Sequence, residues 1–200
     1  MDLDDVLAET ARMFLDLLER EFGRQVEYEA IVAYDLGRSL DLDQDELDEF
    51  MVAVHRSEAL LSIKPMQGAI DALEVWVEAG YIIEVVTGRP TMTAEVSQEW
   101  LDTAGVPHDA LTFVDKYAWK KNVFAGNSAL PLHELPESGY CLAVEDSASV
   151  ASRLATHMDA AVVLIDKPWN RDELVENDHE EGRITRCMDW EDISERFCLP

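Results

Sequence analysis

The stretch Tyr81-Ile82-Ile83-Glu84-Val85-Val86-Thr87 decides the fold class of this 200-residue chain. It is an apolar run with the length of a buried strand, and the turn residues of Gly88-Arg89-Pro90 end it. Continuous apolar strands that alternate with helices predict an α/β fold, a Rossmann-like parallel sheet covered by helices. The later elements predicted in this alternation are helices at 92–104 and 147–156 and strands at 111–114, 140–144 and 161–165. The acidic tail after Asn170 is predicted to be helical in part near Trp190.

The region before this alternation differs, because its apolar residues recur with the period of a helix. Residues 7–22 form one apolar face, and Gly23 stands where a C-terminal cap belongs. Asp43 can cap a second helix at 44–55, with Glu46 three residues on as in a capping box. We therefore predict a small all-helical insert over an α/β core. The predicted bounds are 7–61 for the insert, and 1–6 with 62–200 for the core.

The surface charge of the chain limits its partners. It carries 42 acidic and 16 basic side chains, a formal net charge of −26. Such a surface repels nucleic acid backbones and anionic membranes, so both are excluded as main partners. Acids outnumber bases along most of the chain, which favours a protein from a salt-loving organism, where molar salt shortens the Debye length to about 3 Å. An ordinary acidic protein is the alternative.

The sequence also bears on the cellular compartment. No apolar run approaches the roughly 18 residues that a bilayer span needs, and an acidic N-terminus does not fit a secretory signal. The three cysteines, Cys141, Cys187 and Cys198, cannot all pair and show no CxxC spacing. A reducing cytoplasm with free thiols is the expectation. Composition leaves the oligomeric state open, a homodimer included.

Acidic and polar side chains stand at the ends of the strand-like runs. Thr87 ends one run, Lys116 closely follows another, and Glu145-Asp146 follows a third. Ligands of open α/β sheets bind beyond the carboxyl ends of the strands, so these side chains can converge with Asp2 and Asp4. Carboxylates a few Å apart raise one another's pKa, and a hard divalent cation with oxygen ligands relieves this repulsion. The sequence therefore predicts a Mg²⁺ site.

The order of these residues resembles the four motifs of the haloacid-dehalogenase-like (HAD) phosphohydrolases. Asp2-x-Asp4-x-Val6 matches their DxDx(T/V) motif. The resemblance implies an aspartyl-phosphate intermediate, with Asp2 as the nucleophile and Asp4 as general acid and base. The implied catalytic residues are Asp2, Asp4, Thr87 and Lys116. The implied substrate-binding residues are Thr87, Gly88, Arg89, Lys116 and Asn170. The implied metal ligands are Asp2, Asp4, Glu145 and Asp146.

Two assignments have competing interpretations. Lys120 could replace Lys116 as the lysine of the third motif, because it lies one helical turn further on. The spacing Asp41-x-Asp43-x-Asp45 resembles a calcium loop, but Glu46 occupies the position that needs Gly, which favours a capped helix. The five histidines form no HxH or HExxH pair.

Three short stretches allow a finer comparison. They are Tyr34-Asp35-Leu36-Gly37, Pro65-Met66-Gln67-Gly68-Ala69 and Asp166-Lys167-Pro168-Trp169-Asn170-Arg171. These stretches resemble the 5'(3')-deoxyribonucleotidase branch of the family, and the insert occupies the C1-cap position. This resemblance implies a Mg²⁺-dependent phosphomonoesterase for nucleoside monophosphates, with deoxypyrimidine ones as candidates. Tyr28, Tyr34 and Phe50 are candidate stacking surfaces for a base. A phosphatase for another small ester, such as a sugar phosphate, and a catalytically silent binding protein are the alternatives.

The start of the chain is the main departure from the family pattern. Only Met1 precedes Asp2, whereas a central strand needs roughly five residues to pair on both sides. We therefore expect either that the natural start lies upstream or that this copy is impaired, which would favour the silent alternative.

Overall fold

The parallel sheet expected from the sequence is present as two halves. The computed structural model describes residues 1–33, 36–116, 129–171 and 183–197. All strand pairs within the halves are parallel. One half has the order β1 (Glu84–Thr87), β2 (Ala110–Asp115), β3 (Leu130–Pro131), and the other has the order β4 (Leu142–Glu145), β5 (Ala161–Ile165), β6 (Ile184–Cys187).

Residues 1–3 join these two halves. On one side Leu3 N donates to Val86 O (3.1 Å) and Val86 N donates to Met1 O (2.7 Å). On the other side Asp2 N donates to Val144 O (2.9 Å). Asp2 therefore lies in the middle of the sheet, between β1 and β4, as the family resemblance implies. A start upstream of Met1 stays a prediction.

Helices precede the sheet and cover it. The first four lie in the predicted insert, and the later four belong to the α/β core. No helix in the described part of the chain is both long enough and apolar enough to cross a bilayer. The helices are α1 (Thr10–Phe22), α2 (Leu36–Ser39), α3 (Gln44–Val54), α4 (Ser57–Leu61), α5 (Ala69–Glu78), α6 (Ala94–Ala104), α7 (Ala148–His157) and α8 (Trp190–Arg196).

Local sequence signals set the ends of these helices as predicted. Gly23 closes α1 in the left-handed conformation (φ 66°), where its missing Cβ avoids strain. The Asp43 side chain accepts hydrogen bonds from Asp45 N and Glu46 N, both at 3.0 Å, and Glu46 Oε2 accepts from Asp43 N. The capping box at α3 is therefore confirmed.

Two short antiparallel segments connect the insert to the core. Glu9 N donates to Lys64 O (2.9 Å) and Met66 N donates to Leu7 O (2.7 Å). The entering and leaving chains are thus hydrogen-bonded to each other, which fixes the insert over the carboxyl end of the sheet. The hydrophobic core runs through both parts without a break. The division at 7–61 stays a prediction.

The strand β6 was not expected from the sequence, which predicted only a partly helical tail near Trp190. Its four residues, Ile-Thr-Arg-Cys, have polar side chains at their centre and no continuous apolar run. Four register pairs with β5 decide its conformation instead. The expected helix near Trp190 is present as α8.

Candidate active site

The sheet brings the sequence-predicted polar residues to one edge. Asp2 lies in the central segment, Thr87 ends β1 and Glu145 ends β4. Lys116 follows the last residue of β2 directly. Because the strands are parallel, their carboxyl ends meet at this edge, and residues far apart in sequence lie together.

A buried ion-pair cluster forms the floor of the site. Lys116 Nζ lies 2.8 Å from Asp2 Oδ1 and 2.6 Å from Glu145 Oε1, and its side chain is only 1% exposed. Leu3 N also donates to Asp2 Oδ1 (2.8 Å), which fixes the Asp2 carboxylate. Lys120, the alternative third-motif lysine, lies outside the described residues. Among the described residues it is therefore Lys116 that reaches the cluster.

Three carboxylates at this floor are suited to a cation. Asp2, Glu145 and Asp146 each offer an oxygen, and these oxygens lie within 4.8 Å of one another. Glu145 Oε2 is buried and has no hydrogen-bond partner. Burial raises the pKa of Glu145 to about 8, and the charge of Asp2 adds to this, whereas Lys116 opposes it. Three carboxylates face one ammonium group, so a divalent cation with hard oxygen ligands fits this cluster.

Asp4 lies apart from this cluster and is held by Arg89. Arg89 NH2 lies 2.7 Å from Asp4 Oδ1, and Arg89 Nε lies 3.1 Å from both carboxylate oxygens. Thr10 Oγ1 also donates to Asp4 Oδ1 (2.5 Å). Burial acts to raise the pKa of Asp4, but the charge and hydrogen bonds of Arg89 outweigh it, so this pKa lies below its ordinary value. The structure does not bring the Asp4 carboxylate into the three-carboxylate set.

Thr87 contacts both members of the Asp4–Arg89 pair. Its side chain is fully buried, its Oγ1 accepts from Arg89 N (3.1 Å), and it lies 3.5 Å from Asp4 Oδ2. Arg89 is anchored behind by Ser97 Oγ, 3.2 Å from its NH1. Gly88 and Arg89 both line the cavity above the floor. The Thr87-Gly88-Arg89 segment therefore borders the cavity through its last two residues.

Asn170 and Trp169 hold Asp146 from behind. Trp169 Nε1 donates to Asp146 Oδ2 (3.0 Å), and Asn170 Nδ2 donates to Asp146 O (2.7 Å) and Ile165 O (2.8 Å). Asn170 Oδ1 accepts from Lys167 N and Arg186 NH1. Asn170 is fully buried and does not line the cavity. The structure thus gives its amide a supporting position, not the substrate contact expected from the sequence.

A cavity of about 320 Å³ lies between this floor and the insert. The insert contributes a mainly apolar roof. Phe50, a predicted stacking surface, is instead fully buried inside the insert against Phe14 and Phe22. Tyr28 packs on Trp169 instead of lining the cavity, and Tyr34 lies outside the described residues. The apolar roof residues include Phe14, Ile31, Leu36, Leu40, Met51, Val54 and Leu60.

Two titratable residues of the cavity were not singled out from the sequence. Asp5 has a positive φ of 57°, its carboxylate accepts from Ala11 N (3.0 and 3.2 Å), and burial raises its pKa to about 7 although Lys167 opposes this. His55 comes from the end of α3, its Nδ1 lies 2.7 Å from Met51 O, and burial lowers its pKa. The adjacency of Asp5 to the DxD motif was the available signal, whereas a lone histidine gives none.

Comparisons with known proteins add three kinds of finding. A family model described as PITM 1-3, LNS2 domain matches residues 47–136, less than half of the chain. Membrane-associated phosphatidylinositol transfer protein 1 of Rattus norvegicus is 38% identical over 52 residues, which cover 26% of this chain and 4% of that protein. A candidate nucleotidase of Halalkalibacterium halodurans is 25% identical over 171 residues, which cover 86% of this chain and 80% of that protein.

Solved structures share the fold over almost the whole chain. A candidate beta-phosphoglucomutase from Thermotoga maritima has a TM-score of 0.58 and 16% identity, and the match covers 98% of this chain and 96% of that one. A HAD family hydrolase from Deinococcus radiodurans R1, solved with bound phosphate and sodium, has a TM-score of 0.57 and 16% identity. That match covers 99% of this chain and 92% of the other. The α/β fold class predicted from the sequence is confirmed.

Proposed function

We propose that the chain is a HAD-like phosphohydrolase that hydrolyses phosphate monoesters, and more narrowly a Mg²⁺-dependent nucleotidase-type enzyme. The observation that carries this proposal is the buried set of Asp2, Lys116, Glu145 and Asp146 at the floor of a cavity with an apolar roof. The floor offers a nucleophile, a cation site and a phosphate position. The roof offers space for an uncharged leaving group.

In the proposed reaction the Asp2 carboxylate attacks phosphorus. A bond forms between an Asp2 oxygen and phosphorus, and the bond from phosphorus to the ester oxygen breaks. Asp4 gives a proton to the leaving oxygen. In the second half Asp4 takes a proton from water, the water oxygen bonds to phosphorus, and Asp2 is released with inorganic phosphate.

The ion pair between Arg89 and Asp4 has a role in the proposed reaction. With Arg89 beside it, the pKa of Asp4 is low, so Asp4 is ionised and has no proton to give. A substrate phosphate competes for the same guanidinium, because Arg binds phosphate oxygens in the same two-pronged way. We propose that phosphate binding draws Arg89 away, so that the pKa of Asp4 rises and Asp4 takes up from solvent the proton that it then gives to the leaving oxygen.

The remaining floor residues hold and neutralise charge. Lys116 faces the Asp2 nucleophile and can stabilise the charge that develops on the phosphoryl oxygens. Asp2, Glu145 and Asp146 would hold Mg²⁺. When bound, this cation supplies positive charge that polarises the phosphoryl group and screens it from the carboxylates.

The lining of the cavity supports the proposal that the substrate is a nucleoside monophosphate. Arg89 and Lys116 are the only Arg or Lys side chains of the described residues that line it, which suits one phosphate group and not three. Its apolar roof suits the face of a base better than the hydroxyl-rich surface of a sugar. Among the described residues of the insert, Phe14 lines the cavity and can contact a base there.

A substrate panel tests the proposal. Phosphate release is measured with an aryl phosphate, deoxypyrimidine and other nucleoside monophosphates, and sugar phosphates, each with Mg²⁺ and with a chelator, in high salt. We expect Mg²⁺-dependent release and the highest kcat/KM on nucleoside monophosphates. Equal kcat/KM on sugar phosphates would leave a phosphatase of another ester, and no release from any ester would favour the silent binding protein.

A further inference from the structure

We propose that Trp169 is a positioning residue that ties the Asp146 carboxylate to the helical insert through Tyr28, so that the insert contributes to metal affinity. The inference rests on the proposed function, because it takes Asp146 as part of a Mg²⁺ site. It goes further because it predicts that Trp169, outside the carboxylate cluster, and Tyr28, in the insert, both change the affinity for the cation.

The contact between Trp169 and Asp146 is buried on both sides. Trp169 is 5% exposed and Asp146 is 3% exposed, and the indole Nε1 donates to Asp146 Oδ2 over 3.0 Å. A carboxylate that binds a cation with one oxygen must keep the other oxygen in place. A buried N–H donor supplies that constraint, and such outer partners typically change metal affinity by about 10–100-fold.

The insert in turn fixes Trp169. The ring of Tyr28 meets the indole edge to face, with centroids 5.8 Å apart and an angle of 70°. The Arg12 guanidinium lies 4.6 Å from the centroid of Tyr28 on its face. Next to this contact, Glu29 of the insert pairs with Arg171 of the core at 2.5 Å. The segment that carries the indole is therefore held by the insert from one side and bonded to Asp146 on the other.

Two other tryptophans of the described residues, Trp100 and Trp190, have indole hydrogen bonds with a different kind of partner. The indole of Trp100 donates to Ile63 O and that of Trp190 donates to Val6 O, each over 2.8 Å. These are buried hydrogen bonds of the same kind, but they end on backbone carbonyls and not on a carboxylate. They provide matched controls, since a Trp→Phe change removes one indole N–H in each case.

Coupling of this kind acts in both directions. If the insert raises cation affinity through Trp169, then cation binding must stabilise the docked insert by the same free energy. The expected consequence is that the cation protects the contact between Tyr28 and Trp169, although it touches neither ring.

Isothermal titration of the full-length, cation-free protein with Mg²⁺, without substrate, tests the proposal. We expect Trp169→Phe to raise the Kd for Mg²⁺ by about 10–100-fold and Trp100→Phe to leave it unchanged. Tyr28→Leu, which keeps the indole, should raise the Kd by roughly two- to tenfold, the value of an aromatic pair. Circular dichroism of each cation-free variant checks that it is folded.

The outcomes separate this inference from the proposed function. Wild-type protein that binds Mg²⁺ while Trp169→Phe binds it equally well overturns the inference and leaves the phosphatase. Wild-type protein that binds no Mg²⁺ overturns both. If Trp169→Phe fails to fold, the inference is tested by the Mg²⁺ affinity of Tyr28→Leu and by the NMR signals of the indole N–H groups in the wild-type protein. Addition of Mg²⁺ must shift the indole signal of Trp169 and leave those of Trp100 and Trp190 in place, and an unmoved Trp169 signal overturns the inference.

Discussion

The floor and the roof of the cavity are built on opposite physical principles. The floor crowds Asp2, Glu145 and Asp146 around Lys116 in a buried setting, and one oxygen of Glu145 has no partner. The roof consists of apolar side chains of the insert, such as Phe14, which packs on the fully buried Phe50. The buried carboxylates of the floor repel one another in the absence of a cation, whereas burial of apolar side chains favours the roof. Under the proposed function, the chemistry takes place at the floor and the roof selects the leaving group.

The largest expected effect comes from removing the nucleophile of the floor. Asp2→Asn keeps the shape of the side chain but cannot form the phosphoryl ester, so we expect turnover to fall by about 10³-fold or more with the fold intact. Steady-state phosphate release measures this, and circular dichroism checks the fold. Asp71→Asn, an exposed change on α5, is the matched control. A turnover close to the wild-type rate in Asp2→Asn would exclude the aspartyl-phosphate route.

The second prediction uses the unfavourable charge of the floor. Glu145→Gln keeps an acceptor for Lys116 but removes a ligand charge, so Mg²⁺ affinity should fall by more than about 100-fold, beyond the effect of an outer partner. The same change should raise the melting temperature of the cation-free protein at pH 8. Calorimetry measures both quantities, and loss of stability without Mg²⁺ would contradict the view that this carboxylate is unfavourable.

The pH dependence of that stability has a defined sign. The pKa of Glu145 is about 8 in the folded protein, whereas the ordinary value of a glutamate, which applies to the unfolded chain, is 4.5. Because the folded protein holds this proton more tightly, the contribution of Glu145 is fully present below pH 4.5 and is lost as pH rises through about 8. Asp146 and Asp2 face the same group and act in the same direction, and Lys116 opposes them. The gain in melting temperature on adding Mg²⁺ should therefore grow from pH 5 to pH 8, and Glu145→Gln should remove this trend.

The third prediction concerns the roof. Phe14→Leu removes the aromatic face that lines the cavity, and we expect KM for nucleoside monophosphates to rise roughly two- to tenfold with kcat little changed. Phe50→Leu is the matched control, because Phe50 packs inside the insert and does not line the cavity. It should lower the free energy of unfolding by about 0.5–3 kcal/mol and leave KM alone. Equal KM changes in both variants would mean that the roof does not contact the leaving group.

The smallest expected effect distinguishes the surface from the floor. Screening of the net charge of −26 should raise the melting temperature between low and molar KCl, by about 2–4 °C for each kcal/mol of relieved repulsion. NaCl should act like KCl, because screening depends on ionic strength. The buried pairs of Lys116 are screened much less, so salt should not replace Mg²⁺ at the floor. A melting temperature that falls steadily with salt would contradict adaptation to salt.

Much of the fold could be predicted from local patterns. The apolar run ending at Thr87 and the alternation after it gave the parallel sheet. Asp43 with Glu46 gave the start of α3, because a capping box is a signal within four residues. The strand β6 could not be predicted, since its central residues are polar and only pairing with β5 makes it a strand.

The residues of the candidate site could be predicted from the sequence, but their contacts with one another could not. The motif order indicated that Asp2, Lys116, Glu145 and Asp146 would converge, and the sheet places them together. It did not indicate that Arg89 would hold Asp4, a contact that spans 85 residues. Nor did it indicate that both amide atoms of Asn170 would be used in hydrogen bonds that support Asp146 and the surrounding loop.

The sequence by itself determined the periodicity, the caps and the identity of the polar residues at strand ends, because these depend on neighbours a few residues apart. The tertiary structure decided which of those residues form ion pairs, which form hydrogen bonds and which line the cavity. Phe14 and Phe50 show the difference, since both lie on apolar helix faces and only packing turns one toward the cavity and the other into the core. Residues 1–3 show it again. Too short to be recognised as a strand, they take the central place because Val86 and Val144 offer hydrogen bonds on both sides.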